Sequence, residues 1–247
     1  MINLILVLLL FCCTNSIKNP IIKSDPTQAY ADQLKDQINN FVFLSKEMKL
    51  DQNCVETKWE SCDAIPMGSA SGLILSADSK SIIVLTAAHF CVNDTMPYGY
   101  PQITPTVLGV ANDSPRELNI LAMDVDNDLC LLSGIKYKEE NFDPIKLAPN
   151  LPKIGEKVYS VSAPNAISGP GIRLVFDGAY GGCTNTYCMF TVPATFGSSG
   201  GGIYDKDGHL LSIVMAVTVG FENVVISPTH ESLVNFISTI DESINIY

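Results

Sequence analysis

Positive charge is scarce in this chain. Its 247 residues carry 15 Lys and Arg against 26 Asp and Glu, for a formal net charge of -11. A surface that acidic repels phosphate backbones and anionic headgroups, so neither nucleic acid nor an anionic membrane is an expected partner. Long apolar runs are missing as well. The N-terminal run from Leu4 to Cys13 falls short of the ~20 residues a spanning helix needs, so no stable membrane span is expected. Paired C-x-x-C spacings are absent, which removes the usual zinc frameworks, and neither a metal nor a cofactor is expected. Histidine is down to three residues, so chemistry that needs an imidazole has few places to go.

What is present fits a single globular unit. Hydrophobic residues make up 47% of the chain and charged ones 17%, enough for a sizeable core shared by two sub-domains. The run Leu4 to Cys13 has the length of the apolar part of a secretory signal, and the small residues Thr14 and Ser16 suit cleavage after Ser16. Residues 1–16 are therefore read as a signal peptide, although no Lys or Arg precedes the run. The mature chain is expected to be secreted or otherwise extracytoplasmic. A lipid anchor on Cys12 or Cys13 is the lesser variant, because Phe11 and Cys12 suit such a site poorly. Of the 8 cysteines, Cys54, Cys62, Cys91, Cys130, Cys183 and Cys188 remain after this segment. An even number in an exported chain favours disulfides, with Cys54–Cys62 and Cys183–Cys188 as local bridges around polar loops.

Residues 17–66 are expected to form an N-terminal extension. Residues 17–27 are polar, with Pro20 and Pro26. From Thr27 to Leu50 the residues Tyr30, Leu34, Ile38, Phe41 and Leu44 recur at helical spacing and predict an amphipathic helix. A cysteine-bounded loop follows. From Met67 the character changes to short stretches rich in Val, Ile, Leu and Thr, among them SGLILSA, SIIVLTAA, DLCLLSGI, KVYSVSA and HLLSIVMAV. Turn residues fill the gaps, and such regular spacing predicts an all-β barrel or sandwich. A Pro-rich stretch, 143–153, divides the strands of this 67–247 domain into two groups. At the end, Ser227 and Pro228 signal a helix carrying a stripe of Leu233, Phe236, Ile237, Ile240 and Ile244.

Three short motifs carry chemistry. Gly197-Ser198-Ser199-Gly200-Gly201 surrounds a serine with residues that let the backbone bend and aim amide N–H groups into one small space. A serine hydroxyl is a weak nucleophile, so it needs a base for its proton and donors for the oxyanion. No Lys or Thr follows the glycines, which makes a phosphate-binding loop the poorer reading. His89 ends the strand-like Val84-Leu85-Thr86-Ala87-Ala88, and it is the one histidine outside a turn or a helix start. Asp128 enters the apolar run Leu129-Cys130-Leu131-Leu132, where a carboxylate is costly unless something binds its charge. Orienting an imidazole is such a purpose. The run Asp124 to Asp128 hints at a calcium loop, but position 129 is not Gly and position 135 is Ile rather than Glu. Asp124 and Asp126 are read as surface residues.

In this order, T-A-A-H, D-L-x-L-L and G-x-S-G-G resemble the signature of the trypsin/chymotrypsin clan of serine peptidases, from about Met67 onward. The resemblance implies an all-β fold of two six-stranded antiparallel barrels, to which the periodicity adds an N-terminal amphipathic helix and a C-terminal helix. It implies a catalytic triad of His89 (general base), Asp128 (orienting) and Ser199 (nucleophile), with the Gly197 and Ser199 amides as the oxyanion hole. Polypeptides are then the substrates. A catalytically inactive binding module on the same fold is the alternative. An esterase with the G-x-S-x-G elbow is set aside, because its chain order runs Ser, Asp, His. Within the clan, Gly208 to Ile213 and Gly155 to Val158 look closer to the HtrA/Deg and glutamyl-endopeptidase branches, and the chain is expected to end before any PDZ domain. Position 198 is Ser and no I-V-G-G occurs, so trypsin-type zymogen activation is not expected. By the same resemblance Pro193 lies at the base of the specificity pocket, with Met215, Ala216 and Val217 along its wall. Val224 and Val225 are expected to close the far side, for apolar guests. Cys91 and Cys130 each lie two residues beyond a triad member. They are either a third bridge or two buried thiols.

Overall fold

The computed structural model describes residues 34–49, 64–92, 106–218 and 220–244. The expected signal peptide and the Cys54–Cys62 bridge lie outside these residues. The chain opens on a short helix α1 (Lys35–Asn39) and then turns into strand β1 (Phe41–Lys49). The helical periodicity expected from Thr27 to Leu50 thus ends at Asn39 among the described residues. Phe41 and Leu44 belong to a strand, and both are buried. The physical reason is barrel closure. Strand β1 pairs with both β2 (Ala64–Ala77) and β4 (Thr106–Ala111), and tertiary pairing overrides a local 3.6-residue pattern. Together with β3 (Ser81–Ala87), β5 (Ser114–Asp124) and β6 (Leu129–Ile135) these strands form a closed barrel in the order β1-β2-β3-β6-β5-β4.

The second sub-domain holds seven strands: β7 (Lys157–Ser162), β8 (Leu174–Cys183), β9 (Cys188–Phe190), β10 (Gly202–Tyr204), β11 (Leu210–Ile213), β12 (Ala216–Thr218) and β13 (Phe221–Ser227). They pair in the order β11-β10-β7-β8-β9-β13-β12, a half-barrel whose end strands do not meet. The outer edge of β11 is instead taken by the connector between the sub-domains. Leu210 donates to Lys146 O and accepts from Ala148 N. This connector lies in the Pro-rich stretch that divides the two strand groups. The architecture is chymotrypsin-like, mostly β with a C-terminal helix α3 (His230–Ile244). Thr229 caps that helix by accepting from Ser232 N at 3.1 Å.

Three apolar clusters explain why β3 and β6 read as unbroken hydrophobic runs. Ile82, Val84, Cys130 and Leu132 point into the closed barrel. Their neighbours Ile83, Leu85, Leu129 and Leu131 point the other way, into a seam shared with Val161, Tyr204, Ile213 and Leu233 of the second sub-domain and α3. Alternate side chains of a strand face opposite sides, so a strand buried on both faces shows no polar alternation. A third cluster, with Phe190, Val192, Ala194, Val214 and Val225, fills the half-barrel. The seam joins the two sub-domains.

Candidate active site

Strand β3 runs directly into a single helical turn, α2 (Ala88–Cys91), which carries His89. Opposite it, Thr86 and Ala87 of β3 pair with Cys130 and Leu129 of β6, so the residue before β6 lies next to the turn. That residue is Asp128. Its backbone takes the left-handed conformation at φ 54°, uncommon outside glycine but tolerated by Asp. Its carbonyl accepts from Ala88 N at 3.1 Å. Its carboxylate accepts from His89 N at 2.7 Å and faces His89 Nδ1 at 2.8 Å through Oδ2 and 3.1 Å through Oδ1. The carboxylate is mostly covered, with its side chain 14% exposed, whereas the histidine side chain is 52% exposed. This carboxylate therefore fixes one ring nitrogen and leaves the other side of the imidazole accessible.

Two further features secure this pair, one missed by the sequence reading and one left open by it. Asp124 is more than a surface residue, since its carboxylate accepts from Asn127 N at 3.1 Å and Asn127 Nδ2 at 2.8 Å. It thereby folds the turn that delivers Asp128. The pairing of Cys91 with Cys130 is resolved as a disulfide with a Cα–Cα distance of 6.6 Å. It staples α2 to β6, two residues beyond His89 on one side and Asp128 on the other. The local Cys183–Cys188 bridge is also formed.

The Gly197–Gly201 loop lies between β9 and β10, and its serines differ. Ser198 is fully buried, and its Oγ accepts from Thr195 N at 3.2 Å. Ser199 is partly exposed. Gly197 and Gly200 have φ of 88° and 82°. A Cβ on Gly200 would collide with Ser71 O and Thr86 Oγ1, so only glycine lets the loop press against β2 and β3.

Every carbonyl from position 196 to 199 is occupied. Phe196 O accepts from Asn165 N at 2.6 Å, Ser198 O from Gly201 N at 2.9 Å and Ser199 O from Ser71 N at 2.8 Å. Gly197 O accepts from Ser71 Oγ at 2.8 Å. The N–H groups of Ser198 and Gly200 donate to Thr195 O and Val214 O. Phe196 N, on an exposed residue, Gly197 N and Ser199 N have no partner among the described residues, which leaves the last two as unpartnered donors within the glycine–serine motif. Buried backbone donors are nearly always paired, so two unpaired ones a residue apart mark a place prepared for an acceptor.

The expected pocket residues are only partly brought together. Val217 packs on the cluster of Val192, Ala194, Val214 and Val225, and it pairs with Val225 across β12 and β13. Ala194 donates to Glu222 O at 3.0 Å, which ties the segment beside Pro193 to β13. Pro193 and Met215 are half-buried outside that cluster, and Ala216 is exposed. Val192, Ala194 and Val214 were not singled out from sequence. Among the described residues no three His, Cys, Asp or Glu side chains converge as a metal site, and no helix is long and apolar enough to cross a membrane.

Comparison with known proteins bears on the family and the fold. The family described as Trypsin-like peptidase domain matches residues 70–213, more than half of the chain. No curated protein matches it. Among solved structures the fold is similar to that of Rv3671c from M. tuberculosis H37Rv, in an inactive serine-to-alanine form. The two share 16% identity at a TM-score of 0.60, over 89% of this chain and 95% of the other. The chain belongs to the trypsin-like peptidase family.

Proposed function

We infer that the protein is a serine endopeptidase that hydrolyses polypeptides through an acyl-enzyme. Ser199 Oγ attacks the scissile carbonyl carbon while His89 takes its proton at Nε2 and then delivers it to the departing amine. Water repeats the sequence on the ester, and the acid and Ser199 are released. Asp128 holds His89 through Nδ1 and stabilises the imidazolium formed in each half-reaction. The tetrahedral oxyanion is received by Gly197 N and Ser199 N. The observation that supports this reading is the pair of unpartnered donors, Gly197 N and Ser199 N, in a loop whose carbonyls from 196 to 199 are all engaged. Donors prepared in this way need no reorganisation when charge develops, which is how such a site lowers a barrier.

Labelling with a fluorophosphonate, followed by peptide mapping, tests the reading. A single adduct on Ser199, blocked by heating the protein beforehand, is expected; an unlabelled folded protein, or an adduct on Ser198, overturns it. The apolar Pro193, Met215, Ala216 and Val217, expected by resemblance to line the specificity pocket, support cleavage after apolar residues such as Val, Ala, Leu or Met. A buried basic guest would lack a counter-charge there. Dominant cleavage after Arg, Lys or Glu in a mixed peptide library would refute this preference. The two disulfides support an extracytoplasmic location for the protein.

A further inference from the structure

One residue of the first barrel holds the loop of the second. Ser71 lies on β2, is fully buried, and has all its polar groups engaged. Its N–H donates to Ser199 O at 2.8 Å, and its carbonyl accepts from Thr86 Oγ1 at 2.7 Å. Its hydroxyl accepts from Ala163 N at 2.8 Å and donates to Gly197 O at 2.8 Å. One hydroxyl thus bridges the end of β7 to the glycine that offers an unpartnered N–H. On the other side of that glycine, Asn165 N holds Phe196 O at 2.6 Å. Asn165 and Ala166 occupy left-handed conformations at φ 52° and 58°, which non-glycine residues keep only where their surroundings impose them.

A trans peptide is planar, with its C=O and N–H directed to opposite sides. Capture of Phe196 O by Asn165 therefore turns Gly197 N away from Asn165. Capture of Gly197 O by Ser71 Oγ fixes the next peptide plane. Rotating the Phe196–Gly197 peptide would put a carbonyl where a donor is needed, and these two bonds oppose that rotation from either side of Gly197. On the serine-peptidase reading above, we propose that Ser71 is a positioning residue for the oxyanion donors. Its hydroxyl locks the Gly197 peptide in the orientation that receives the tetrahedral intermediate. Ser71 touches no substrate. Its effect belongs to the transition state, because a misplaced donor matters most when the carbonyl oxygen carries charge.

The test compares wild type, Ser71→Ala and Ser71→Thr for kcat, KM and inhibition by a peptide aldehyde, which forms a tetrahedral adduct with an active-site serine. Circular dichroism monitors folding. Folded Ser71→Ala is expected to lose about tenfold to a hundredfold in kcat, somewhat below the cost of deleting an oxyanion donor outright. KM should stay within about threefold, and the aldehyde Ki should rise in proportion to the loss of kcat. Ser71→Thr, which keeps the hydroxyl, should recover most of both. Unchanged kcat and aldehyde Ki in folded Ser71→Ala overturn the assignment, as does a loss confined to KM. Should Ser71→Ala fail to fold, Ser71→Cys carries the same comparison, and wild-type kcat and Ki in that variant overturn it equally. A wild type inert to both fluorophosphonate and aldehyde would sink the peptidase reading itself. A reactive wild type with an unaffected Ser71→Ala sinks only the role of Ser71.

Discussion

The two sub-domains present their motif residues by different means. The closed barrel offers His89 and Asp128 as side chains, held by a carboxylate–imidazole contact and a disulfide at the ends of neighbouring strands. The half-barrel offers backbone N–H groups in a loop with no regular structure, held by hydrogen bonds to its carbonyls and by glycines that admit close contact. Side chains tolerate small backbone adjustments, because a torsion can absorb them. A backbone donor moves with its peptide plane. The second half of the site should therefore be the more sensitive to packing and the first to the loss of individual groups.

The largest effects should come from the reacting side chains, His89 and Asp128 of the closed barrel and Ser199 of the half-barrel loop. Ser199→Ala and His89→Ala are each expected to lower kcat by about 10⁶-fold, and Asp128→Ala by about 10⁴-fold, with unchanged circular dichroism. Peptide hydrolysis measured on the purified variants decides this, and substantial activity in Ser199→Ala would break the assignment. In wild type, kcat/KM should fall on acidification, since a protonated His89 cannot accept the serine proton. A pH–rate profile that stays flat into the acidic range would argue against an imidazole base.

Glycine substitutions sharpen the contrast from the packing side. Gly200→Ala would force a Cβ into Ser71 O and Thr86 Oγ1, and should cost several kcal/mol or abolish folding. Gly155 also has a positive φ, at 88°, but no atom lies within 4 Å of a Cβ there. Gly155→Ala should therefore cost only the backbone term of about 1 kcal/mol. Urea unfolding of the two variants tests this, and comparable losses would mean that the contact with β2 contributes little.

The smallest expected difference lies between the disulfides. Cys91–Cys130 spans a sequence separation of 39 and Cys183–Cys188 one of 5. Loop-closure entropy assigns about 4 kcal/mol to the first and about 2 kcal/mol to the second. Double Cys→Ser variants in thermal melts should follow that order, and only the variant in the first barrel should also lose activity. The reverse order would show that the staple beside His89 is not what steadies the barrel.

The amino-acid sequence determined the fold class and the motif residues on its own. Each depends on short-range information: apolar strands between turn residues, and the three ordered motifs around His89, Asp128 and Ser199. The pairing of Cys91 with Cys130 was half legible, since their offsets from the motif residues placed them near each other without choosing between bridge and thiols. Tertiary structure alone decided the rest. It turned Phe41 and Leu44 from an expected helix into strand β1, because a barrel with an open edge would leave two rows of backbone groups unpaired. It gave Asp124 its place in the turn before Asp128. It also made Ser71, an ordinary small residue in a strand, the hydroxyl that joins β2, Ala163 and Gly197. Its partners lie 92 and 126 residues away in sequence. No local pattern can encode a hydrogen bond over that distance, since its geometry exists only after the two sub-domains pack.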